Sequence, residues 1–549
     1  MWGKKKNDIM MTPGSKHLLT PAPLYYMTQE GMYMRSCGML LPVASLPSPY
    51  GIGAFSKEAY DFIDDLVRAG QRYWQILPLG PTSYGDSPYQ SFSAFAGNPY
   101  FIDLETLTEE GLLTKKECSL ADFGSDEGYI AYDKLYENRF PLLRKAFGRW
   151  KAKQGEGRTL EKELRPETRE YCFYMAVKNY FKGKSWNLWD EDIRLRRPDA
   201  VERYEKLLEE EVLFYQFLQY KFQEQWKKLK AYANEKGIRI IGDIPIYVAF
   251  DSADAWMHPE LFQFDEENLP SAVAGCPPDD FSADGQLWGN PLYRWDYHEK
   301  TGFAWWMRRM EYSLQLYDVV RVDHFRGFDE YYSIPYGSRT AQKGTWEKGP
   351  GIAIFQEMKK HFGTEDLPII AEDLGFLTPS VLKLVEDTGF PGMKVLEFAF
   401  EAGKDSEYLP HNYVENCVVY TGTHDNDTAQ GWFGTLSPAD REMVLEYMNG
   451  PDACTNAKEE NQKIHWDFIR LALASVARLA VIPVQDYLGL GSEARINIPS
   501  TLGKNWKWRM KKGQLDETVI RKARKMAELY GRAEREAQLQ RDSEELPGK

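Results

Sequence analysis

Four acidic residues close apolar, strand-like runs in this sequence: Asp243 follows IRIIG, Asp323 follows VVRV, Glu372 follows PIIA and Asp425 follows VVYTGTH. One acid at such a position is an ordinary helix cap or turn former. Four of them, each after a run with no other reason to stop on acid, point to carboxylates gathered at one rim. Two carboxyls facing a substrate can divide the work, one ionised to attack or stabilise a carbon, the other protonated to release a leaving oxygen. Cleavage of a glycosidic bond needs that pair. Arg321 stands two residues before Asp323, on the same side of an extended chain, and can hold that carboxylate charged. Glu372 has no such neighbour, which suits a group that keeps its proton. Asp373 beside it should point the other way and is read as structural. The His-Asp pair at 424–425 resembles half of a metal motif but lacks a second nearby histidine, so no metal site is expected.

The elements that must bring these acids together are legible as eight short apolar runs. They are Gly38 to Leu46, Arg72 to Gly80, Ile238 to Val248, Val319 to Phe325, Leu367 to Gly375, Gly392 to Phe400, Asn416 to Asp427 and Leu479 to Gly489. Continuous β-rich runs fit strands buried on both faces, as in parallel sheets. Amphipathic segments of helical period lie between most of them, such as Lys57 to Gly70 and Pro379 to Gly389, the latter with Thr378 as N-cap, Pro379 at the first turn and Gly389 as the stop. Strand and helix alternating eight times predict an α/β fold, a (β/α)8 TIM barrel, whose catalytic groups gather at the carboxyl ends of the strands. An open doubly wound sheet would carry a GxGxxG turn after its first strand, and none is present.

Two spacings exceed a simple βα unit. The expected organisation is an N-terminal extension over 1–30 and a barrel over 31–510. A helical subdomain of about 101–235 is inserted after strand 2, and a loop-rich, lid-bearing insertion of about 250–315 after strand 3. A C-terminal helix and tail fill 511–549, with the charged helix running from Asp516 to Arg541 as a solvated closing helix, and no C-terminal β-sandwich follows.

Composition narrows the partners. The 549 residues carry a formal net charge of −14, which argues against a nucleic-acid polyanion. Sixteen Trp, 33 Tyr and 28 Phe are rings that serve as core filler and also suit a groove for sugars, whose apolar faces are edged with hydroxyls. Six scattered cysteines (Cys37, Cys118, Cys172, Cys276, Cys417 and Cys454) form no CxxC pair and suggest a reducing, cytoplasmic compartment. The N-terminus has no signal-like apolar core, and no window is long and apolar enough to span a bilayer. No phosphate loop, nicotinamide fingerprint or metal cluster is present, so no cofactor is expected. Monomer and homodimer both remain open.

The motifs RVDHFRG (321–327), AEDLG (371–375) and YTGTHDNDT (420–428) resemble those of the 4-α-glucanotransferases, also called amylomaltases or disproportionating enzymes, of glycoside hydrolase family 77 in the α-amylase clan. DSPYQSFSAFAGNPY (86–100) and PPDDFSADGQLWGNPLY (277–293) extend the match, and the motifs follow the family's order from Leu40 to Thr501. The resemblance implies a retaining transfer of α-1,4-glucan segments of starch, glycogen or maltodextrin, with an α-glucan hydrolase as the alternative. It implies Asp323 as nucleophile, Glu372 as general acid and then base, and Asp425 as the carboxylate gripping the 2- and 3-hydroxyls of the sugar at the cleavage point. Arg321 would orient Asp323, His424 would hydrogen-bond the same sugar, and Tyr89 would stack beneath it. Asp279 and Trp288 match sugar-contacting positions on a lid over the acceptor, where some relatives carry an aromatic residue at the place of Asp280. Asn497 matches a loop closing over the pocket. His324 has two readings, a sugar contact or a side chain turned elsewhere. After Asp243 the chain reads DIPIYVAFD, without the sugar-binding histidine usual in α-amylases.

Overall fold

The computed structural model describes residues 35–83, 85–154, 159–278, 283–375, 377–401, 403–450 and 464–534. All eight apolar runs contain strands of one parallel sheet: β1 (Ser36–Leu40), β2 (Tyr73–Gln75), β3 (Arg239–Pro245), β6 (Val319–Asp323), β9 (Ile369–Ala371), β10 (Gly392–Val395), β11 (Cys417–Tyr420) and β12 (Leu479–Pro483). The remaining four strands, β4 (Ala272–Cys276), β5 (Gln286–Pro291), β7 (Glu330–Pro335) and β8 (Thr345–Lys348), form a separate antiparallel sheet in the order β5-β4-β7-β8. In the large sheet the neighbours run β10-β11-β12-β1-β2-β3-β6-β9. Its two ends come together where Ala371 N–H donates to the Pro391 carbonyl at 3.0 Å. Beside that bond, Met393 N–H donates to Asp373 Oδ1 at 2.6 Å, so a side chain supplies one rung of the join. Gly392 permits it, because a Cβ there would lie 2.2 Å from Asp373 Oδ2. The result is a TIM barrel.

Side-chain alternation divides the barrel wall. Leu40, Tyr73, Ile241, Val319, Ile370, Met393, Val395, Val418, Tyr420, Leu479 and Val481 fill the interior. Their alternates, such as Trp74, Ile240, Val320, Val322, Ala480 and Ile482, pack outward in the main core with the helices. Following the inward parity toward the carboxyl ends, Val319 leads to Arg321 and Asp323, Ile241 to Asp243, and Ile370 to Glu372. The interior therefore turns from apolar to ionisable within two residues on each of these strands. Tyr420 and Gln75 bridge that layer, hydroxyl to amide oxygen at 2.8 Å.

Between β2 and β3 lie the long helices Tyr132–Gln154, Pro166–Tyr180 and Glu209–Glu235, with shorter ones between them. Between β3 and β6 come β4, β5 and the helix Ala304–Leu316, which buries Trp305, Trp306, Met310 and Leu316. The small sheet takes its other two strands, β7 and β8, from the connection after β6, which the sequence reading did not single out. The helix Pro379–Thr388 has the expected ends: Thr378 Oγ1 accepts from Val381 N–H at 3.4 Å, and Gly389 closes it at φ 75°. The C-terminal helix differs from expectation. It spans Glu517–Leu529 and stops there, and it is not wholly solvated. Ile520, Ala523 and Ala527 are buried, and beyond it Arg532, 1% exposed, donates to the carbonyls of Ser36, Ala472, Leu473, Ser475 and Arg478. Residues 535–541 of the expected helix lie outside the described residues, as do 1–34. No strand belonging to a sheet follows β12, and no helix is long and apolar enough to cross a membrane, among the described residues.

Candidate active site

At the carboxyl ends of β3, β6 and β9 the charged layer organises around Arg321. Its Nη1 donates to both oxygens of Asp243, at 2.9 and 2.8 Å, and to Asp323 Oδ1 at 3.0 Å. Arg321 is 3% exposed and Asp243 fully buried, whereas the Asp323 side chain keeps 29% of its surface open. Burial works against the charge on Arg321, but Asp243 and Asp323 outweigh it and hold the guanidinium protonated beyond its usual range. Tyr89 joins the network by donating its hydroxyl to Asp243 Oδ2 at 2.9 Å.

Glu372 reaches the same rim from β9. Its Oε2 accepts from His324 N–H at 2.6 Å and its Oε1 from Leu374 N–H at 2.9 Å. His324 can aim its N–H there because its backbone is left-handed, with φ 54° and ψ 48°, an unusual conformation for a residue other than glycine. Burial and the adjacent Asp323 charge push the Glu372 carboxyl up to about 7, against the pull of Arg321 and the two backbone donors. Asp323 is raised by burial to about 6, with Arg321 pulling it down while Asp243 and Asp425 push it up. The two acids are thus separated, the glutamic acid being the one that keeps its proton to higher pH.

Asp425 comes from the loop after β11. Asn497 Nδ2 donates to its Oδ1 at 2.6 Å and Arg495 Nη2 to its carbonyl at 2.6 Å, while its side chain remains 42% exposed. The Asn497 N–H also donates to the His424 carbonyl at 3.1 Å, so the two loops are tied at backbone and side chain. The His424 ring stacks on Tyr89 with centroids 5.2 Å apart and an angle of 14°. Trp506 leans over both rings, at 5.9 Å from Tyr89 and 6.1 Å from His424. On the other flank the Trp288 ring, from β5, meets His324 edge to face at 4.7 Å. Burial and Arg326 depress the His324 imidazole to about 3, so it is neutral, and its Nε2 makes no hydrogen bond among the described residues.

The structure therefore brings Tyr89, Arg321, Asp323, Glu372, His424, Asp425 and Asn497 to one rim, with Trp288 and His324 at its flank. Asp279 lies outside the described residues, with Asp280. Three participants were not named as site residues from the sequence. Asp243 was noted only as a strand-end acid, although its shared inward parity with Ile241 could have placed it under Arg321. Arg495 and Trp506 lie on loops, where alternation gives no direction. Trp506 has a left-handed backbone, φ 64°, that nothing local announces. No group of three or more His, Cys, Asp or Glu side chains arranged to hold a metal occurs among the described residues.

An ionisable carboxylate held by arginine, a proton-bearing glutamic acid and a third carboxylate around one opening can carry out a double displacement at an acetal carbon. Comparisons with known proteins bear on which acetal. A family model described as 4-alpha-glucanotransferase, glycoside hydrolase family 77, matches residues 41–516. The 4-alpha-glucanotransferase of Clostridium butyricum is 49% identical over 497 residues, covering 90% of this chain and 100% of that protein. That of Thermus thermophilus is 48% identical, covering 90% and 98%. Among solved structures, the amylomaltase of Streptococcus agalactiae in complex with acarbose superposes with a TM-score of 0.86 at 41% identity, covering 91% of this chain and 100% of that one.

Proposed function

This chain belongs to the 4-alpha-glucanotransferases of glycoside hydrolase family 77, and from that premise we propose how its rim performs the transfer. The enzyme moves α-1,4-glucan segments from a donor to the 4-hydroxyl of an acceptor glucan or glucose. Asp323, ionised beside Arg321, attacks C1 of the donor glucose as Glu372 gives its proton to the departing O4. The C1–O4 bond breaks, a bond from C1 to Asp323 forms, and the reducing-end fragment leaves as an alcohol. In the second displacement Glu372, now ionised, takes the proton of the acceptor 4-hydroxyl, whose oxygen attacks C1 and expels Asp323. Two inversions retain the α-configuration. Asp425, braced by Asn497 and Arg495, accepts hydrogen bonds from the 2- and 3-hydroxyls, which strengthen as the ring flattens toward the oxocarbenium ion. Tyr89 supports the ring from below, His424 donates to the same sugar, and Trp288 offers a face to the acceptor. Asp279 joins the acceptor contacts by resemblance alone.

The observation that carries this reading is the single guanidinium nitrogen, Arg321 Nη1, bonded to Asp323 beside a glutamic acid raised to about 7. Transfer rather than hydrolysis rests on family membership, and the rings flanking the rim are compatible with an acceptor competing against water. The organisation proposed is a barrel over 31–510 carrying insertions of about 101–235 and 250–315, between an extension over 1–30 and a helix and tail over 511–549. We further propose a cytoplasmic location, supported by the buried free thiols of Cys37, Cys118, Cys172 and Cys417.

Maltotriose is the test substrate. The wild-type enzyme should give a ladder of shorter and longer chains without a rise in reducing ends, and Asp323→Asn should give none. A full ladder from that variant would remove the proposed nucleophile, and a rise in reducing ends matching the bonds cleaved would favour a hydrolase.

A further inference from the structure

Asp486 is a buried acid to which the transfer chemistry gives no work. It lies in the short helix Val484–Tyr487, just past the carboxyl end of β12, and is 1% exposed. Its two oxygens take separate partners. Oδ2 accepts from the Thr421 hydroxyl, and Oδ1 accepts from the Ala429 N–H at 2.8 Å. Thr421 is the first residue after β11, Ala429 is the first of the helix Ala429–Thr435, and both are fully buried. Everything between them, 422–428, is the loop that carries His424 and Asp425. One carboxylate therefore holds both ends of that loop. Within it, Asn426 Oδ1 accepts from Thr423 N–H at 2.9 Å and from Thr423 Oγ1 at 2.8 Å, and the Asp425 N–H donates to Thr423 Oγ1 at 3.2 Å. Those bonds shape the loop from inside, and Asp486 sets how far apart its ends stand. The neighbouring Gln485 braces the facing loop, its Nε2 donating to the Ala494 carbonyl at 3.3 Å, one residue before Arg495.

We propose that Asp486 is a positioning residue for the transfer reaction, clamping both ends of the 422–428 loop to the neighbouring strand β12 so that Asp425 meets the sugar in one fixed place. This rests on the reading of Asp425 as the group that grips the sugar hydroxyls. Asp486 is not needed as a helix cap. Thr428 already caps the helix Ala429–Thr435, accepting from the Gly431 N–H at 3.0 Å. A buried acid is costly unless its oxygens are matched, and here each has its own donor. Burial raises the carboxyl to about 6, with Thr421 and Ala429 pulling it down and Asp427 pushing it up, so near neutral pH both oxygens accept. Bonds to an ionised acceptor are the stronger kind, which suits a clamp. A contact that acts in the transition state loses much of its effect when its group shifts by a fraction of a bond length, so the placing of Asp425 bears directly on rate.

Thr421 offers the gentlest cut. Thr421→Val keeps the shape and removes the hydroxyl that holds one end of the clamp. In the folded enzyme it should lower kcat about ten-fold, with little change in the KM for acceptor glucose. Thr421→Ser keeps the hydroxyl and loses a methyl, and should stay within about three-fold of wild type. A packing role would reverse that order. Asp486→Leu frees both ends and should lower kcat about 10²-fold, with the Thr421 pair deciding the matter if that variant does not fold. The third arm repeats Thr421→Val in an Asp425→Asn background, with maltosyl fluoride as donor. There it should cost about three-fold or less, against about ten-fold with Asp425 intact, because the clamp and the carboxylate act as one unit. The proposal is overturned if folded Thr421→Val turns over like wild type, if Thr421→Ser suffers more than Thr421→Val, or if the loss is the same with and without the Asp425 carboxylate. Full activity of Asp425→Asn alone would instead remove the role of Asp425, whereas its inactivity beside an indifferent Thr421→Val removes only the clamp.

Discussion

Asp323 and Glu372 must be in opposite protonation states for the first displacement, which gives transfer a definite pH dependence. Asp323 works ionised, so activity falls as pH drops through about 6. Glu372 works protonated, so activity falls as pH rises through about 7. The kcat/KM profile of the free enzyme should be a narrow bell between those values. Replacing Glu372 with Gln should lower turnover of maltotriose by about 10³-fold and remove the alkaline limb. Maltosyl fluoride, whose leaving group needs no proton, should lose far less. An unchanged alkaline limb in that variant would assign it to another group. Asp323 was legible in the sequence because a strand's two-residue alternation sets it on the face of Arg321, and Glu372 and Asp425 because each closes an apolar run. Trp506 and Arg495 were not, since each owes its position to loops closing from distant segments. For His324 the two readings stayed open because the left-handed turn after β6 breaks the alternation that orders Arg321 and Asp323.

Among the elements, β3 shows how tightly the wall is fitted. Gly242 faces outward under the ring of Tyr317, where a Cβ would lie 2.0 Å from Cγ. Tyr317 cannot simply withdraw, because its hydroxyl accepts from the Leu79 N–H at 3.2 Å. Gly242→Ala should therefore destabilise the protein by about 3 kcal/mol, read as a lower midpoint in chemical denaturation. Thr378→Ala, which removes the cap from helix Pro379–Thr388, should cost about 1 kcal/mol in the same assay. A reversal of that order would mean the barrel wall yields more readily than a helix end. Thr378, Pro379 and Gly389 were readable because capping is local chemistry, and the eight barrel strands because continuous apolar runs signal burial on both faces. By contrast, β7 and β8 are strands by virtue of their partners. β7 pairs with β4, some sixty residues earlier, and Thr345, Trp346 and Lys348 of β8 are exposed, so neither carries a strong apolar pattern of its own.

Across the whole molecule, the C-terminal helix ends in a clamp. Arg532 collects five carbonyls from the start of β1 and from the segment leading into β12, at the end of the barrel away from the catalytic rim. Arg532→Ala would remove a buried side chain and its charge-assisted bonds, with Arg35 left to hold Leu473 and Ser475, and should cost on the order of 3 kcal/mol, while the kcat of the folded fraction stays near wild type. A fall in kcat without a fall in stability would contradict that division. Nothing in the sequence separates Arg532 from the charges around it, because its burial is decided by carbonyls from remote parts of the chain. The join between β9 and β10 bears on how the barrel moves. Elsewhere around the circumference full ladders bind neighbour to neighbour, but here one amide rung and one carboxylate do so. This is the staves' weakest hoop, and it lies directly below Glu372. In hydrogen–deuterium exchange the amides of Ala371 and Met393 should trade their protons sooner than those of Ile241 and Val320, so that the acid–base side of the groove breathes most easily when a product chain has to slip free.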